Sequence, residues 1–269
     1  MTRKLHIAIG AALLVAVLTA VPAVTFVAKA SVTPGASDAK CKTSTDLARL
    51  DYVLPRTMRR IAAGLPVTVV ALGSSSTAGA GASTPQHSYP SQLAVNLAQM
   101  FPGHPINVIN RGINGQEAAD MVARLDNDVL AEKPDLVVWQ VGTNALLRDH
   151  DFQQIRASVD AGLTRMKAAG LDVVMMDLQL APSVVAKPGH KDMIGLIASL
   201  ARQHNVNVFR RFAVMQNWRE EQKIPYETFV TQDALHMNDW GYGCVARILA
   251  GSLVDAATRP VVTADNFAR

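Results

Sequence analysis

Aromatic side chains make up only 5% of this 269-residue chain, so there is little material for the stacked-ring platforms on which many sugar binders rest. There are two cysteines, Cys41 and Cys244. Neither they nor the histidines show the paired spacing of a zinc site, and neither metal nor cofactor is expected. The glycine-rich stretch Gly73-Ser74-Ser75-Ser76-Thr77-Ala78-Gly79 lacks the terminal Gly-Lys-Ser/Thr of a phosphate-cradling loop. Gly79-Ala80-Gly81 is not followed by the third glycine of a dinucleotide fingerprint. No internal repeat is visible, and after the first apolar run no second one of membrane-spanning length follows.

That first run extends from Leu5 to Val27 behind Arg3 and Lys4, and it ends in Ala28-Lys29-Ala30 before Ser31. Two cations, an apolar stretch and an Ala-x-Ala site fit a cleaved signal peptide over residues 1–30. The same stretch, interrupted by Pro22, is also long enough to serve as an uncleaved anchor. Either way the rest is expected outside the cytoplasm, secreted or periplasmic, with a membrane contact only through this segment. Removing residues 1–30 takes three of the 26 Lys and Arg and none of the 22 acids, leaving 23 against 22. The overall net charge of +4 therefore belongs largely to the leader and gives no support for a nucleic-acid partner.

Residues 31–63 read as a linker rich in Ser, Ala, Gly, Pro and Thr. A helical extension with Leu47, Leu50, Val53 and Leu54 on one side follows, broken or restarted at Pro55. From residue 64 to 269 strand-like and helix-like segments alternate. Strands are predicted near 67–72, 106–110, 135–141, 172–178 and 206–209, and helices near 89–101, 116–130, 151–169, 190–204 and 239–256. Five strands with intervening helices imply an α/β fold, a three-layer α/β/α sandwich around a five-stranded parallel sheet. In an oxidising compartment Cys41 could pair with Cys244; two unpaired thiols are the alternative, since pairing cannot be deduced without geometry.

Chemistry concentrates where predicted strands end. Val69-Val70-Ala71-Leu72 breaks into the hydroxyl-rich loop holding Ser75, the place where α/β folds put a nucleophile at the carboxyl edge of the sheet. This is not the Gly-x-Ser-x-Gly elbow of α/β-hydrolases, because Thr77 stands where the second glycine would be. The next two strands end in Gly112-Ile113-Asn114-Gly115 and in Gly142-Thr143-Asn144. Near the C-terminus Asp233 precedes His236 by three positions at a predicted helix entrance, a spacing that lets a carboxylate hold one imidazole nitrogen while the other faces a cleft. Taken singly these are an ordinary turn, a glycine bend, a helix cap and a solvated pair; their order along the chain is what argues against accident.

Ser75, Gly115, Asn144 and the Asp233/His236 pair resemble the four blocks of the SGNH hydrolases, the GDSL-like esterase superfamily, over about residues 67–255. Gly73-Ser74-Ser75-Ser76-Thr77-Ala78-Gly79 is similar to that family's Gly-Asp-Ser-x-x-x-Gly, with Ser74 in place of the acid. Gly142-Thr143-Asn144-Ala145 lacks the acid that ends Gly-x-Asn-Asp, and Asp-x-x-His is intact. The resemblance implies a flavodoxin-like fold. It also implies Ser75 as nucleophile, His236 as general base and Asp233 as its orienter, with Ser75 N–H, Gly115 N–H and the Asn144 amide as oxyanion donors. The departures at Ser74 and Ala145 put the loop's bracing in question. Gly81 to Ser88 and Leu146 to Asp151 are expected to wall the cleft, with Arg148 as a weak substrate-binding candidate beside His150. The expected substrate is a small ester or an acylated glycan with a short acyl group. Lysophospholipid or lipid-ester hydrolysis is the rival activity, and a glycan-binding or acyl-transferring protein on the same scaffold is the rival class.

Overall fold

The runs richest in Val, Leu and Met become the centre of the sheet, since a strand covered on both faces has no use for alternation. The computed structural model describes residues 41–260; the predicted leader and most of the linker lie outside them. In chain order the elements begin with the one-turn helix α1 (Thr45–Ala48), α2 (Pro55–Ala62), β1 (Val67–Gly73), α3 (Ser75–Ala78), α4 (Tyr89–Met100) and β2 (Ile106–Gly112). Next come α5 (Ala118–Ala123), α6 (Leu125–Asp128), β3 (Leu136–Gln140), α7 (Thr143–Leu147), α8 (Phe152–Ala168) and β4 (Asp172–Met176). The chain then runs through α9 (Pro182–Val185), α10 (His190–His204), β5 (Asn207–Phe209), α11 (Arg211–Gln216) and α12 (Asp239–Thr258).

The strand order is β2-β1-β3-β4-β5 with every pairing parallel. α2, α4 and α12 pack together as one helical layer, and α5, α8 and α10 as the other, giving the expected three-layer α/β/α sandwich. Connections in this order reverse direction between β1 and β3, which makes the carboxyl ends of those two strands the switch point where such sheets open a crevice. Strands β3 and β4 are buried throughout, whereas the edge strand β2 is only partly covered. Trp139 on β3 is fully buried, with its indole N–H on the Met121 sulfur at 3.2 Å, in the core as its apolar setting demands.

The segment before the sheet is part of the core. Leu50 and Leu54 are fully buried, and the Tyr52 backbone exchanges two hydrogen bonds with the Asn207 side chain, at 2.7 and 2.9 Å. Pro55 restarts the helix at the first position of α2, where its missing N–H costs nothing. The start of α2 then docks on the buried Asp172 carboxylate, which accepts from Thr57 N and Oγ1, both at 2.8 Å. Cys41 and Cys244 form a disulfide with Cα atoms 5.2 Å apart, tying this segment to α12. Closing so long a loop stabilises the chain by up to about 5 kcal/mol in the chain-entropy account.

One difference from the predicted elements has a local cause. The helix expected over 116–130 is two short helices, α5 and α6, broken at Arg124. There the guanidinium reaches the Gln116 side chain at 2.7 Å and the Arg111 carbonyl at 2.8 Å, tying the break to the end of β2.

Just past β4, burial pushes the Asp177 carboxyl up from 3.8 to about 7, against the lowering influence of the Phe212 N–H and the Arg211 guanidinium. A folded value above the unfolded one means that the native state keeps a proton the unfolded chain releases. This contribution to stability is therefore complete on the acid side and is lost as pH rises from about 4 to about 7. Tm should accordingly fall across that interval more steeply in the wild type than in Asp177→Asn, which keeps an oxygen for Phe212 N–H. Equal slopes in thermal melts at several pH values would contradict this.

Candidate active site

Ser75 sits where β1 gives way, after Gly73 and Ser74, to the single turn of α3. The turn packs closely on the end of β2: a Cβ added at Gly112 would lie 2.1 Å from Ala78 N and 2.5 Å from the Thr77 carbonyl carbon, so only glycine fits there. The same strand end supplies Asn110, whose Nδ2 donates to the Thr77 carbonyl at 2.9 Å. Ile113 N donates to the Gly73 carbonyl at 3.1 Å, fastening the loop after β2 to the end of β1.

His236 reaches this turn from 161 residues away, its Nε2 lying 2.9 Å from Ser75 Oγ. Its Nδ1 is 2.5 Å from Asp233 Oδ2. With a carboxylate on Nδ1 the proton resides there, and Nε2 is left to accept from the serine hydroxyl. The pair stands, as expected, at the entrance to a helix, here α12. It occupies a tight turn ahead of α12, in which Asp233 Oδ1 accepts from Leu235 N and His236 N at 2.9 Å each and from Thr231 Oγ1 at 2.6 Å. Ala234 takes the left-handed conformation at φ 58°, and the bridge between Val230 and Met237 closes the turn. Partial burial raises the Asp233 carboxyl, but the bonds from Thr231, His236 and Leu235 outweigh it and hold the group well below the usual carboxylate range.

Gly115 lies in the loop after β2 with φ 76°. Asn144 lies in the first turn of α7, and its Nδ2 donates to the neighbouring Gln116 carbonyl at 2.8 Å. The structure thus brings Ser75, His236 and Asp233 into one hydrogen-bonded chain, and joins the Gly115 loop to Asn144 by a second contact. Asn144, Gln116 and Ser74 also line a cleft of about 430 Å³, whose farther wall includes Gln154, Ile155 and Ser158 of α8.

Arg148 is in this cleft, already engaged. Its guanidinium pairs with Glu117 and donates to the Gly115 carbonyl at 2.9 Å, while His150 Nδ1 lies 2.8 Å from the other Glu117 oxygen. On the opposite flank, loop 79–88 is pinned to α12. Tyr242 donates to the Ala80 carbonyl at 2.6 Å, and Ser83 N donates to Asp239 Oδ1 at 2.7 Å.

Sequence reasoning missed two polar side chains beside the site. Glu117, anchor of Arg148 and His150, looked like any helix-start carboxylate. Gln140 did leave a signal, as a lone polar residue inside the run Leu136-Val137-Val138-Trp139-Gln140-Val141, and it is 1% exposed.

With this geometry in place, comparison with known proteins is specific. The model of the Non-GDSL lipase-like family matches residues 40–259. An arylesterase of Vibrio mimicus is 27% identical over 170 residues, 63% of this chain and 80% of the relative. Esterase TesA of Pseudomonas aeruginosa is 31% identical over 116 residues, 43% of this chain and 56% of that one. Among solved structures, a two-domain esterase active on acetylated mannans superposes with a TM-score of 0.64 at 23% identity, over 78% of this chain and 54% of that one. The present chain thus spans about half the length of the two-domain protein. The chain belongs to the Non-GDSL lipase-like family, within the SGNH hydrolase superfamily, and is an ester-hydrolysing enzyme.

Proposed function

We propose that the chain is an exported serine esterase that removes short acyl groups, acetyl foremost, from O-acylated glycans of the cell envelope or its surroundings. The observation that carries this reading is the relay in which His236 Nε2 meets Ser75 Oγ at 2.9 Å while Nδ1 rests on the Asp233 carboxylate. His236 takes the hydroxyl proton as Ser75 Oγ bonds to the ester carbonyl carbon, and the carbonyl electron pair moves onto oxygen. Ser75 N–H, Gly115 N–H and the Asn144 amide receive that charge. Collapse of the tetrahedral species expels the alcohol, which takes the proton from His236. Water then repeats the sequence, the acid leaves and Ser75 is restored.

Export is supported by the apolar leader with its Ala-x-Ala site and by the disulfide, which suits an oxidising compartment. Among the described residues no helix is long and apolar enough to cross a membrane. A glycan alcohol is favoured by the cleft beside Asn144, where Glu117, Arg148, His150, Gln154 and Ser158 offer hydrogen-bonding groups, and by likeness to an esterase active on acetylated mannans. Arg148, tied to Glu117, serves as wall there rather than as a free anion receptor.

The test is a panel of p-nitrophenyl esters of increasing chain length alongside acetylated xylan and mannan. The expected result is acetate release from the polymers and a kcat/KM that declines beyond short acyl chains. Preference for long-chain esters or lysophospholipids, with no acetate release from glycans, would overturn the substrate. Asn144→Ala should lower kcat about 10²–10³-fold with little change in KM, because its amide serves the oxyanion rather than the ground state. Steady-state kinetics on p-nitrophenyl acetate check this, and a change confined to KM would assign Asn144 to substrate binding instead.

A further inference from the structure

The two acids that the resembled family carries beside its nucleophile and its asparagine are absent here, so something else must brace the turn that presents Ser75. We propose that Gln140, at the end of β3, is the positioning residue for the nucleophile, acting through Ser74 and Thr77. This inference rests on the reading of Ser75 as nucleophile. Gln140 Oε1 accepts three hydrogen bonds from the turn: from Ser74 N at 2.9 Å, Ser74 Oγ at 3.0 Å and Thr77 Oγ1 at 3.3 Å. A backbone N–H can only donate, so the Ser74 contact fixes the amide with its oxygen toward the turn.

All of these groups are out of water, Ser74 and Thr77 being 2% and 0% exposed. In such surroundings an orphaned donor is costly and a satisfied one is rigid. Thr77 Oγ1 also meets the Tyr89 hydroxyl at 3.4 Å. With the single Thr77 hydroxyl hydrogen given to Gln140, the Tyr89 hydroxyl is the donor to Thr77.

The fit is mutual. A Cβ at Gly73 would stand 2.8 Å from Gln140 Oε1 and 2.1 Å from Thr77 Oγ1, so the glycine before the turn leaves room for this bracket. Ser74 is matched to it as well: an acid there could not donate to Oε1, and turning the amide to meet it would strip the Ser74 N–H of its acceptor. The Ser74/Gln140 pair thus braces the turn without a charge. It holds the peptide next to the Ser75 N–H and fixes the hydroxyl's distance from His236.

The test compares Gln140→Met, which deletes the acceptor at similar volume, with Gln140→Glu, which keeps an acceptor but can ionise. For Gln140→Met, kcat on p-nitrophenyl acetate should fall about 10–100-fold with KM nearly unchanged. Labelling of Ser75 by a fluorophosphonate should slow in parallel yet still reach one label per chain, which separates misplacement from unfolding. Gln140→Glu should exceed Gln140→Met at acid pH and then decline as its carboxyl ionises, buried behind the Ser75 turn, a descending limb absent from the wild type. A Gln140→Met enzyme within about twofold of wild type, or one whose loss matches its unlabelled fraction, would overturn the proposal. Activity surviving in Ser75→Ala would instead overturn the underlying reading, whatever the Gln140 variants do.

Discussion

Ser75→Ala should abolish ester hydrolysis, with kcat falling by about 10⁵-fold or more while the fold is retained. The size of the effect follows from what a methyl group leaves behind. Without Oγ no acyl-enzyme forms, and His236 Nε2, which meets Oγ at 2.9 Å in the wild type, has at best a water to activate. The proposed oxyanion donors and the cleft remain, so a slow residual reaction above the uncatalysed rate is expected. Stability should change little, because among the described residues the Ser75 hydroxyl hydrogen-bonds only to His236, and Ser75 is partly buried. Kinetics with p-nitrophenyl acetate, together with circular dichroism of the variant, check both parts. A variant that is folded and retains more than about a hundredth of the activity would remove Ser75 from the reaction.

Asp233→Asn should have the second-largest effect, lowering kcat about 10³–10⁴-fold. An asparagine that accepts from Leu235 and His236 N–H with its remaining oxygen turns its NH₂ toward His236 Nδ1. That forces the imidazole proton onto Nε2, where it faces Ser75 and can no longer receive a proton. The wild-type carboxylate avoids this at every working pH, because the bonds from Thr231, His236 and Leu235 hold Asp233 far below the usual range. The sign of the pH dependence follows: a depressed carboxyl contributes stability above its unfolded value and loses it only in strong acid. The acid limb of kcat/KM should therefore carry no more than one ionisation above about pH 4, with no step from Asp233. Two acid-side ionisations, or an Asp233→Asn enzyme close to wild type, would mean that another group orients His236.

The sheet was legible because its centre is so apolar. Val69 to Leu72, Leu136 to Val141 and Val173 to Met176 can hardly be anything but strands covered on both faces, and the first two end in the loops that carry Ser75 and Asn144. Their convergence was legible only as an order along the chain. The form of the Asp233/His236 turn was not: the spacing placed the pair at a helix entrance, but nothing local signals that Ala234 adopts φ 58° to close an Asx-type turn. Helices of four or five residues, such as α3 and α7, are too short to show a period. Arg211 illustrates another limit. Arginine reads as surface, yet this one is fully buried, with its guanidinium on the Asp177 carbonyl at 2.7 Å and the Gln179 side chain at 2.9 Å. Gln140 was visible as an oddity in its strand, but the donors that give it meaning lie 63 and 66 residues away.

Catalysis as proposed requires Ser75 to become covalently acylated while His236 serves it. The most direct measurement is peptide mass spectrometry of the protein quenched in acid during turnover of an activated acetyl ester, or after reaction with a fluorophosphonate. The expected result is one added group per chain on the peptide containing Ser75, formed rapidly in the wild type, slowly in His236→Ala and not at all in Ser75→Ala. A wild-type enzyme that turns over the ester with no adduct on Ser75, or with the adduct on another residue, would contradict it.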